Sequence, residues 1–288
     1  MALLEGKVAL ITGAGRGLGE AYAQLLAREG ATLVINDIGK DAEGRYLAEK
    51  VAAAVIESGG KAVAHTADIS TVSGGETLLQ TAIEAFGRVD ILINNAGILR
   101  DKSLLKLEEA DWDLVIKVNL KSIYAVTKPV FTWMKENGQG GVIVNTSSVS
   151  ALAGNFGQTN YGASKGGVWA FSNVLTEEGR KYGIRVWTLA PAALSALTEG
   201  LLSDEMKAEL APEHVAPAVL FMVSELSGKR TGHCLFASGQ GIKELKLVSA
   251  EGIPGRGKNP ALDAHTLAQL QDRIFRPEPA LTIMDFSK

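Results

Sequence analysis

Short apolar runs alternate with longer amphipathic segments along most of the chain. The apolar runs are rich in β-branched residues and read KVALIT, ATLVIND, KAVAHTAD, VDILINNAG, GVIVNTSS and IRVWTLAP. Between the first two runs, apolar residues recur at helical spacing in GEAYAQLLAREG and stop at Gly30. Such runs predict buried strands, and the segments between them predict amphipathic helices.

The alternation continues down the chain, so the predicted fold is built from repeated strand–helix units. Further helices are predicted at residues 41–58, 73–86 and about 111–136, and around Tyr161. Strands that are apolar on both faces are typical of a parallel sheet with helices on each side. We therefore predict an α/β protein with a doubly wound parallel sheet, the Rossmann fold. Ligands of such sheets bind outside the carboxyl ends of the strands.

The domain organisation follows from the length of the chain and the composition of its C-terminal region. A chain of 288 residues can form one large α/β domain. We predict that domain at residues 1–250. From about Ile253 the sequence becomes rich in Gly and Pro. We therefore expect residues 251–288 to form a tail that packs on the same domain and does not extend the sheet.

Composition and charge narrow the possible function classes. The chain is 46% hydrophobic and 21% charged, with a net charge of −3 and no basic stripe, so we expect no nucleic-acid partner. The single cysteine, Cys234, excludes an internal disulfide, and the scattered histidines show no metal-ligand spacing. We expect no bound metal. We also expect the histidines at the surface or at helix caps: His65, His214, His233 and His265.

The ends of the sequence and its apolar runs bear on the cellular compartment. Only MALLEG precedes the first predicted strand, which leaves no room for a signal peptide. No apolar run is long enough to span a bilayer, and the terminal DFSK lacks a Ser-Lys-Leu type of address. These features predict a cytoplasmic protein without membrane insertion.

A glycine-rich turn, TGAGRGLG, joins the first strand to the first helix. Gly13 allows a sharp exit from the strand, whereas Gly17 and Gly19 let the backbone approach a pyrophosphate and let the helix pack closely on the sheet. The N-terminus of the helix offers unpaired N–H groups and a positive dipole end. Because the motif lies in the strand–turn–helix context that it requires, it predicts a dinucleotide site.

Acidic residues after the next two strands bear on the identity of the dinucleotide. Asp37 ends the second strand, where a carboxylate hydrogen-bonds the adenosine ribose and repels a 2′-phosphate. Arg16, in the glycine turn, could instead contact such a phosphate. We favour NAD, because a phosphate against a carboxylate costs more than an exposed arginine beside NAD. Asp68, after the third strand, fits either a bond to the adenine amino group or a helix N-cap.

Tyr161 and Lys165 are spaced one helical turn apart, in NFGQTNYGASK. Positions i and i+4 share a helix face, so the lysine ammonium can favour the ionised form of the phenol. This pairing can make a general base of a group with an ordinary pKa of about 10.

Four motifs together resemble the short-chain dehydrogenase/reductase family: the glycine turn, NNAG at 94–97, NTSS at 145–148 and YGASK at 161–165. The resemblance implies an NAD(P)-dependent oxidoreductase with the catalytic residues Asn119, Ser148, Tyr161 and Lys165. It also implies cofactor contacts from the following residues: Gly13, Arg16, Gly17, Leu18, Gly19, Asp37, Asp68, Ile69, Asn95, Ala96, Gly97, Tyr161, Lys165, Pro191, Ser195 and Thr198.

The family resemblance also carries expectations about the substrate lid and the assembly. Residues 194–212 match the position of a helical lid over the substrate, and the family pairs subunits through its long helices, which implies a homodimer or homotetramer. One position departs from the family pattern, because the usual Pro-Gly after the sixth strand is Pro191-Ala192 here.

Longer phrases indicate a subgroup within this family. VINDIG, NNAGILRDKS, GNFGQTNYGASK, PEHVAPAVLF and FASGQGIKELK resemble the (3R)-hydroxyacyl-CoA dehydrogenase unit of type 2 peroxisomal multifunctional enzymes. That resemblance implies oxidation of a (3R)-3-hydroxyacyl-CoA with NAD. Three alternatives stay open: a 17β-hydroxysteroid or other secondary-alcohol dehydrogenase, an NADPH-linked 3-oxoacyl reductase, and, least favoured, a non-catalytic nucleotide-binding scaffold.

Overall fold

A computed structural model describes residues 2–193, 209–250, 252–255, 258 and 262–275. Its described strands form an eight-stranded sheet in the order β3-β2-β1-β4-β5-β6-β7-β8. Adjacent strands from β3 to β7 are parallel, and β8 pairs antiparallel with β7. The strands span Val8–Thr12 (β1), Thr32–Asn36 (β2), Lys61–His65 (β3), Ile91–Asn94 (β4), Gly141–Thr146 (β5), Ile184–Pro191 (β6), His233–Ser238 (β7) and Gly241–Leu245 (β8).

Helices connect the strands and cover both faces of the sheet. They span Gly17–Arg28 (α1), Leu47–Glu57 (α2), Val72–Phe86 (α3), Glu109–Ile116 (α4), Ser122–Glu136 (α5), Thr159–Gly179 (α6), Ala216–Val223 (α7), Ala264–Gln269 (α8) and Gln271–Ile274 (α9). A π-helical turn, Lys117–Lys121, joins α4 to α5. The predicted doubly wound fold is confirmed.

Alternation along the strands divides the core into two layers. In β1, Ala9 and Ile11 face the layer packed by α1, α2 and α7, whereas Val8 and Leu10 face the layer packed by α3 and α5. All five residues of β1 are buried. Because both faces are covered, strands at the centre of the sheet must be apolar throughout, which explains the runs in the sequence.

Two local predictions were wrong. The second helix begins at Leu47, six residues after the predicted start, because residues 37–46 form a loop closed by a bridge between Lys40 and Tyr46. His65 is buried in β3 and not at the surface, and its ring nitrogens pair with Asn36 and Thr77 at 3.0 and 3.1 Å. Burial lowers the pKa of His65.

The C-terminal region is described only in part. The sheet extends to β8, and the described residues beyond it include the short helices α8 and α9. The amide of Gly252 donates to the carbonyl of Arg273, which joins two parts of the tail. Packing of residues 251–288 on the domain stays a prediction. In the described ranges, every helix is too short or too polar to cross a lipid bilayer.

Candidate active site

A long cleft opens at the carboxyl ends of the parallel strands and consists of two adjoining cavities. One cavity, of about 530 Å³, lies over β1, β2 and β3. The other, of about 790 Å³, reaches the start of α6. Arg16, Leu18, Asn95 and Gly97 line both cavities. The cleft is therefore continuous from the glycine turn to the Tyr161 side of the sheet, as the strand topology requires.

The glycine turn forms the floor where the two cavities meet. Gly13 has a φ of +62°, and a Cβ there would lie 2.7 Å from the Cα of Ala96. A Cβ at Gly19 would lie 2.4 Å from the carbonyl oxygen of Gly13. Gly17 starts α1 with a φ of +58° and faces open space. The turn thus requires glycine and leaves the N-terminus of α1 accessible to an anion.

Asp37 stands at the end of β2 with its carboxylate held by two backbone groups. The amide of Gly15 donates to one oxygen at 2.9 Å, and the amide of Gly39 donates to the other at 2.7 Å. Arg16 is exposed at the N-cap position of α1, and its side chain makes no capping bond. The Asp37 carboxylate is therefore fixed in the cleft wall. Among the described residues, the Arg16 side chain has neither a backbone amide partner of this kind nor a capping bond.

Asp68 and Ile69 line the far end of the first cavity. The amide and hydroxyl of Ser70 donate to one oxygen of Asp68 at 2.9 and 2.6 Å, and Lys117 Nζ lies 3.7 Å from the other. The alternative role of Asp68 as a helix cap is wrong, since Thr71 caps α3 by accepting from the amide of Gly74.

The NNAG segment follows β4 and is tied to the glycine turn. The Thr12 hydroxyl accepts from the amides of Asn95 and Ala96 at 3.0 and 3.1 Å. Asn95 Nδ2 donates back to the carbonyls of Thr12 and Gly13 at 3.1 and 3.0 Å. These bonds hold the two loops together across the middle of the cleft, with Gly97 facing the second cavity.

Lys165 and Tyr161 lie on the cleft side of α6. Lys165 is 2% exposed, and its Nζ donates to the carbonyl of Thr146 at 2.7 Å. That Nζ lies 5.7 Å from the centre of the Tyr161 ring. Burial lowers the pKa of Lys165 to about 8. The pair predicted from helical spacing is therefore brought together, but the ammonium has a backbone carbonyl as its partner.

Ser148 is placed to hydrogen-bond Tyr161. Burial raises the pKa of the Tyr161 phenol, the hydrogen bond with Ser148 acts to lower it, and the charge of Asp101 acts to raise it. The net shift of this pKa is upward, although the spacing of Lys165 from Tyr161 predicts a contribution that favours the ionised phenol. In the protein without a nucleotide the phenol is therefore the stable form of Tyr161.

Asn119 lies in the π-helical turn and is fully buried. Its side chain accepts from the amide of Ile98 at 2.8 Å and donates to the carbonyl of Ile98 at 3.0 Å. A further bond of 3.3 Å joins Asn119 Nδ2 to the hydroxyl of Ser164 on α6. The side chain thus clamps the segment after NNAG onto the helix that carries Tyr161.

The remaining predicted contacts come from β6 and the residues that follow it in the sequence. Pro191 lines the second cavity. Ser195 and Thr198 lie outside the described residues, as does most of the predicted lid at 194–212. Their roles stay predictions.

The structure also places polar residues in the cleft that the sequence did not single out. Ser150, Asn155 and Gln158 line the second cavity beside Tyr161, and Arg100 lines both cavities. The one signal for Gln158 is its spacing, because position i−3 from Tyr161 falls on the same face of a helix.

The cleft fits a dinucleotide. Its first cavity ends at a fixed carboxylate suited to a ribose, its middle has a bare glycine turn at a helix N-terminus, and its second cavity contains the Tyr161–Lys165 pair. This order of groups matches the adenosine, pyrophosphate and nicotinamide parts of such a cofactor.

The comparisons with known proteins agree with this geometry. The short chain dehydrogenase family matches residues 7–207, and the chain belongs to that family. It is an oxidoreductase of a family that binds a nicotinamide cofactor, NAD or NADP.

Two relatives and one solved structure illustrate how similar the chain is to known proteins of this family. The chain is 43% identical to the mouse (Mus musculus) peroxisomal multifunctional enzyme type 2, over 94% of this chain and 37% of that protein. It is 37% identical to a 3-oxoacyl-[acyl-carrier-protein] reductase of Thermotoga maritima, over 82% of this chain and 98% of that protein. A crystal structure of a short chain dehydrogenase from Mycobacterium avium superposes with a TM-score of 0.86 at 32% identity, covering 96% of this chain and 99% of that one.

The chain therefore spans well under half of the mouse multifunctional enzyme that it resembles. The predicted resemblance to that enzyme is confirmed for the part that the two proteins share.

Proposed function

We propose that the protein oxidises (3R)-3-hydroxyacyl-CoA to 3-oxoacyl-CoA with NAD. The observation that carries the proposal is the position of Ser148, Tyr161 and Lys165 around one cavity, which adjoins a dinucleotide cleft that ends at Asp37. Oxidation of a secondary alcohol needs a hydride acceptor and a base within reach of the same carbinol. The two adjoining cavities would supply both.

The chemistry of each residue follows from its place. The second cavity would hold the nicotinamide ring, which when bound would supply a hydride acceptor and a positive charge there. Tyr161 takes the hydroxyl proton as the C=O bond forms, and Ser148 hydrogen-bonds the reacting oxygen. Lys165 adds positive charge beside the phenol. Since burial raises the pKa of Tyr161, its ionisation depends on positive charge supplied when the cofactor binds.

Asp37 supports NAD over NADP. Both of its oxygens are fixed by backbone amides, so the carboxylate cannot easily turn away from a 2′-phosphate. Arg16 is exposed, and an exposed cation loses little beside NAD. The balance therefore favours a ribose with free hydroxyls.

The stereochemistry of the substrate follows from three constraints. The hydroxyl must point at Tyr161 and Ser148, the carbinol hydrogen must point at the nicotinamide, and the thioester arm must leave through the open side of the cleft. Together these constraints fix one hand of the carbinol carbon. The resemblance of the sequence to the (3R)-hydroxyacyl-CoA dehydrogenase unit of type 2 multifunctional enzymes favours the R hand.

The experiment that tests this function is a substrate panel read by NADH absorbance. Purified protein receives each enantiomer of a medium-chain 3-hydroxyacyl-CoA, the free 3-hydroxy acid, a 17β-hydroxysteroid and a simple secondary alcohol. We expect the R thioester to be oxidised fastest and the free acid to be much slower, because the CoA arm helps to position the reacting carbon. Equal rates for the two enantiomers, or a preference for S, would contradict the proposal.

A second candidate is the NADPH-linked reduction of a 3-oxoacyl thioester. Arg16 in both cavities and the likeness to the Thermotoga maritima reductase favour it. The same reaction runs in reverse through the same three residues, so the discriminating result is the preferred nucleotide. A kcat/KM for 3-oxoacyl-CoA that is higher with NADPH than with NADH would select this candidate.

We also propose that the protein works as a homodimer or homotetramer paired through its long helices. The region from α4 to α6 carries exposed apolar side chains, among them Trp112, Tyr124 and Val174. Large apolar groups on one surface favour burial against a second copy.

A further inference from the structure

A chain of hydrogen bonds runs along one wall of the second cavity. The amide of Ser150 donates to Ser148 Oγ at 3.1 Å, and the hydroxyl of Ser150 donates to Gln158 Oε1 at 2.8 Å. Gln158 Nε2 donates to Asp101 Oδ2 at 2.7 Å. The chain therefore connects Ser148, at the catalytic tyrosine, to an acid outside the cavity lining.

Asp101 fixes the donor-to-acceptor direction of this chain of hydrogen bonds. An ionised carboxylate can only accept hydrogen bonds, so Gln158 must turn its amino group toward Asp101 and its carbonyl oxygen toward Ser150. The hydroxyl of Ser150 must then donate to that oxygen. Without Asp101, either orientation of the Gln158 amide could pair with the Ser150 hydroxyl, which can donate or accept.

Gln158 keeps one donor for a ligand. Its amino group carries two N–H bonds, and within the described part of the chain only Asp101 accepts one of them. Gln158 is half-buried, lines the cavity, and lies three residues before Tyr161 at the start of α6. The wall next to the reacting oxygen thus presents a neutral donor of fixed orientation.

We propose that Gln158, oriented by Asp101, donates to the thioester carbonyl oxygen of the substrate and so selects alcohols with a carbonyl carbon one methylene away from the carbinol. This inference rests on the proposed function. In a 3-hydroxyacyl thioester the acyl chain beyond the carbinol has no acceptor. The thioester carbonyl is therefore the acceptor that can lie beside Gln158 while the hydroxyl lies at Tyr161.

Asp101 acts here as a positioning residue, and Gln158 as a residue that determines specificity. A donor in the cavity wall that the bound substrate covers disfavours an analogue without the matching acceptor, because the donor is then left unpaired. The proposal therefore predicts discrimination between two substrates that differ only at the carbonyl.

The test compares (3R)-3-hydroxybutyryl-CoA with its thioether analogue, in which a methylene replaces the thioester carbonyl and the CoA arm is kept. We expect the wild type to show a kcat/KM about tenfold higher for the thioester, as one hydrogen bond provides. Gln158→Leu should lose about that factor on the thioester and change little on the thioether. The intrinsic difference in reactivity between the two substrates is the same for both proteins. It therefore cancels when the thioester-to-thioether ratio of kcat/KM is compared between variant and wild type.

Two further variants separate positioning from folding. Asp101→Ala should lower the same preference, whereas Asp101→Asn keeps an acceptor for Gln158 and should restore most of it. The charge of Asp101 also affects the pKa of Tyr161, but that effect acts on both substrates and leaves their ratio unchanged. Gln139→Leu is the matched control, because Gln139 is exposed and lines a separate cavity with Lys7.

The outcomes distinguish this inference from the function on which it rests. A wild type that is inactive on the thioester overturns both. If the wild type is active and Gln158→Leu lowers kcat/KM for both substrates equally, the inference alone is overturned. The dehydrogenase function then still stands. Loss of the thioester preference in Gln158→Leu, with the preference kept in Gln139→Leu, supports the inference.

Discussion

Burial shifts the pKa values of Tyr161 and Lys165 in directions that oppose catalysis. Burial raises the pKa of the tyrosine and lowers that of the lysine to about 8, so burial disfavours the charged form of each group, although a lysine with this pKa is still mostly protonated at pH 7. The lysine ammonium is stabilised in this buried place by the carbonyl of Thr146, to which it donates at 2.7 Å. The arrangement becomes a strong base when positive charge arrives with the cofactor, which links proton removal to nucleotide binding.

Asp37 carries the prediction about the nucleotide. Asp37→Ala removes a partner of the ribose and a charge that repels a 2′-phosphate, so the ratio of kcat/KM for NAD over NADP should fall by about tenfold or more. The ratio is measured with one substrate and both nucleotides, so a partial loss of folded protein cancels. A wild type that already prefers NADP would contradict the weight given to Asp37 over Arg16.

Single residues differ in how far the sequence predicts them. Tyr161, Lys165 and the glycine turn could be predicted, because their spacing and context carry the chemistry. Gln158 and Asp101 could not, because their role depends on a hydrogen bond across 57 positions of sequence. His65 was misplaced at the surface because its partners, Asn36 and Thr77, come from a neighbouring strand and the next helix.

At the scale of elements, periodicity predicted the order of strands and helices but not their local irregularities. The long helix predicted at 111–136 contains a π-helical turn that places Asn119 against Ile98. Apolar spacing carries no signal for one extra residue in a turn. β7 and β8 were not predicted, and β8 is exposed at four of its five positions, so it lacks the apolar run that identified the central strands.

The crossing of α3 and α5 gives a prediction about stability. A Cβ at Gly75 would lie 2.1 Å from the carbonyl oxygen of Ala125, so Gly75→Ala forces the two helices apart. We expect it to lower the free energy of unfolding by about 1–3 kcal/mol. Ser73→Ala, at an exposed position in the same helix, should change it by less than about 0.5 kcal/mol. Urea unfolding followed by circular dichroism measures both, and equal effects would contradict this packing.

At the scale of the whole molecule, the sheet topology determines where chemistry can occur. In the sheet, β1 lies between β2 and β4, so the chain is wound in opposite directions on the two sides of β1. The cleft opens at this point. Sequence alone predicted this fold because both faces of the sheet are buried. It could not predict the shape of the second cavity, which depends on how the loops after β4 and β5 pack together.

The assembly is the second prediction at this scale. Val174 on α6 is 60% exposed, and Ile56 on α2, across the sheet, is 55% exposed. The wild type should elute with at least twice the 30.4 kDa mass of one chain. Val174→Asp should shift the measured mass toward that of one chain, because a charge at this position opposes burial. Ile56→Asp should leave the mass unchanged. A wild type with the mass of a single chain in light scattering would contradict pairing through the long helices.

The central claim is that the Tyr161 hydroxyl is the base that takes the proton of the alcohol, and Tyr161→Phe tests it most directly. The measurement pairs the rate of NADH formation from (3R)-3-hydroxyacyl-CoA with the affinity for NADH by fluorescence titration. We expect turnover below about a hundredth of wild type with nearly unchanged NADH affinity, since the ring and its packing remain. Tyr182→Phe, with a tyrosine outside both cavities, should keep the wild-type rate. Turnover of Tyr161→Phe above that level, with NADH still bound, would contradict the account.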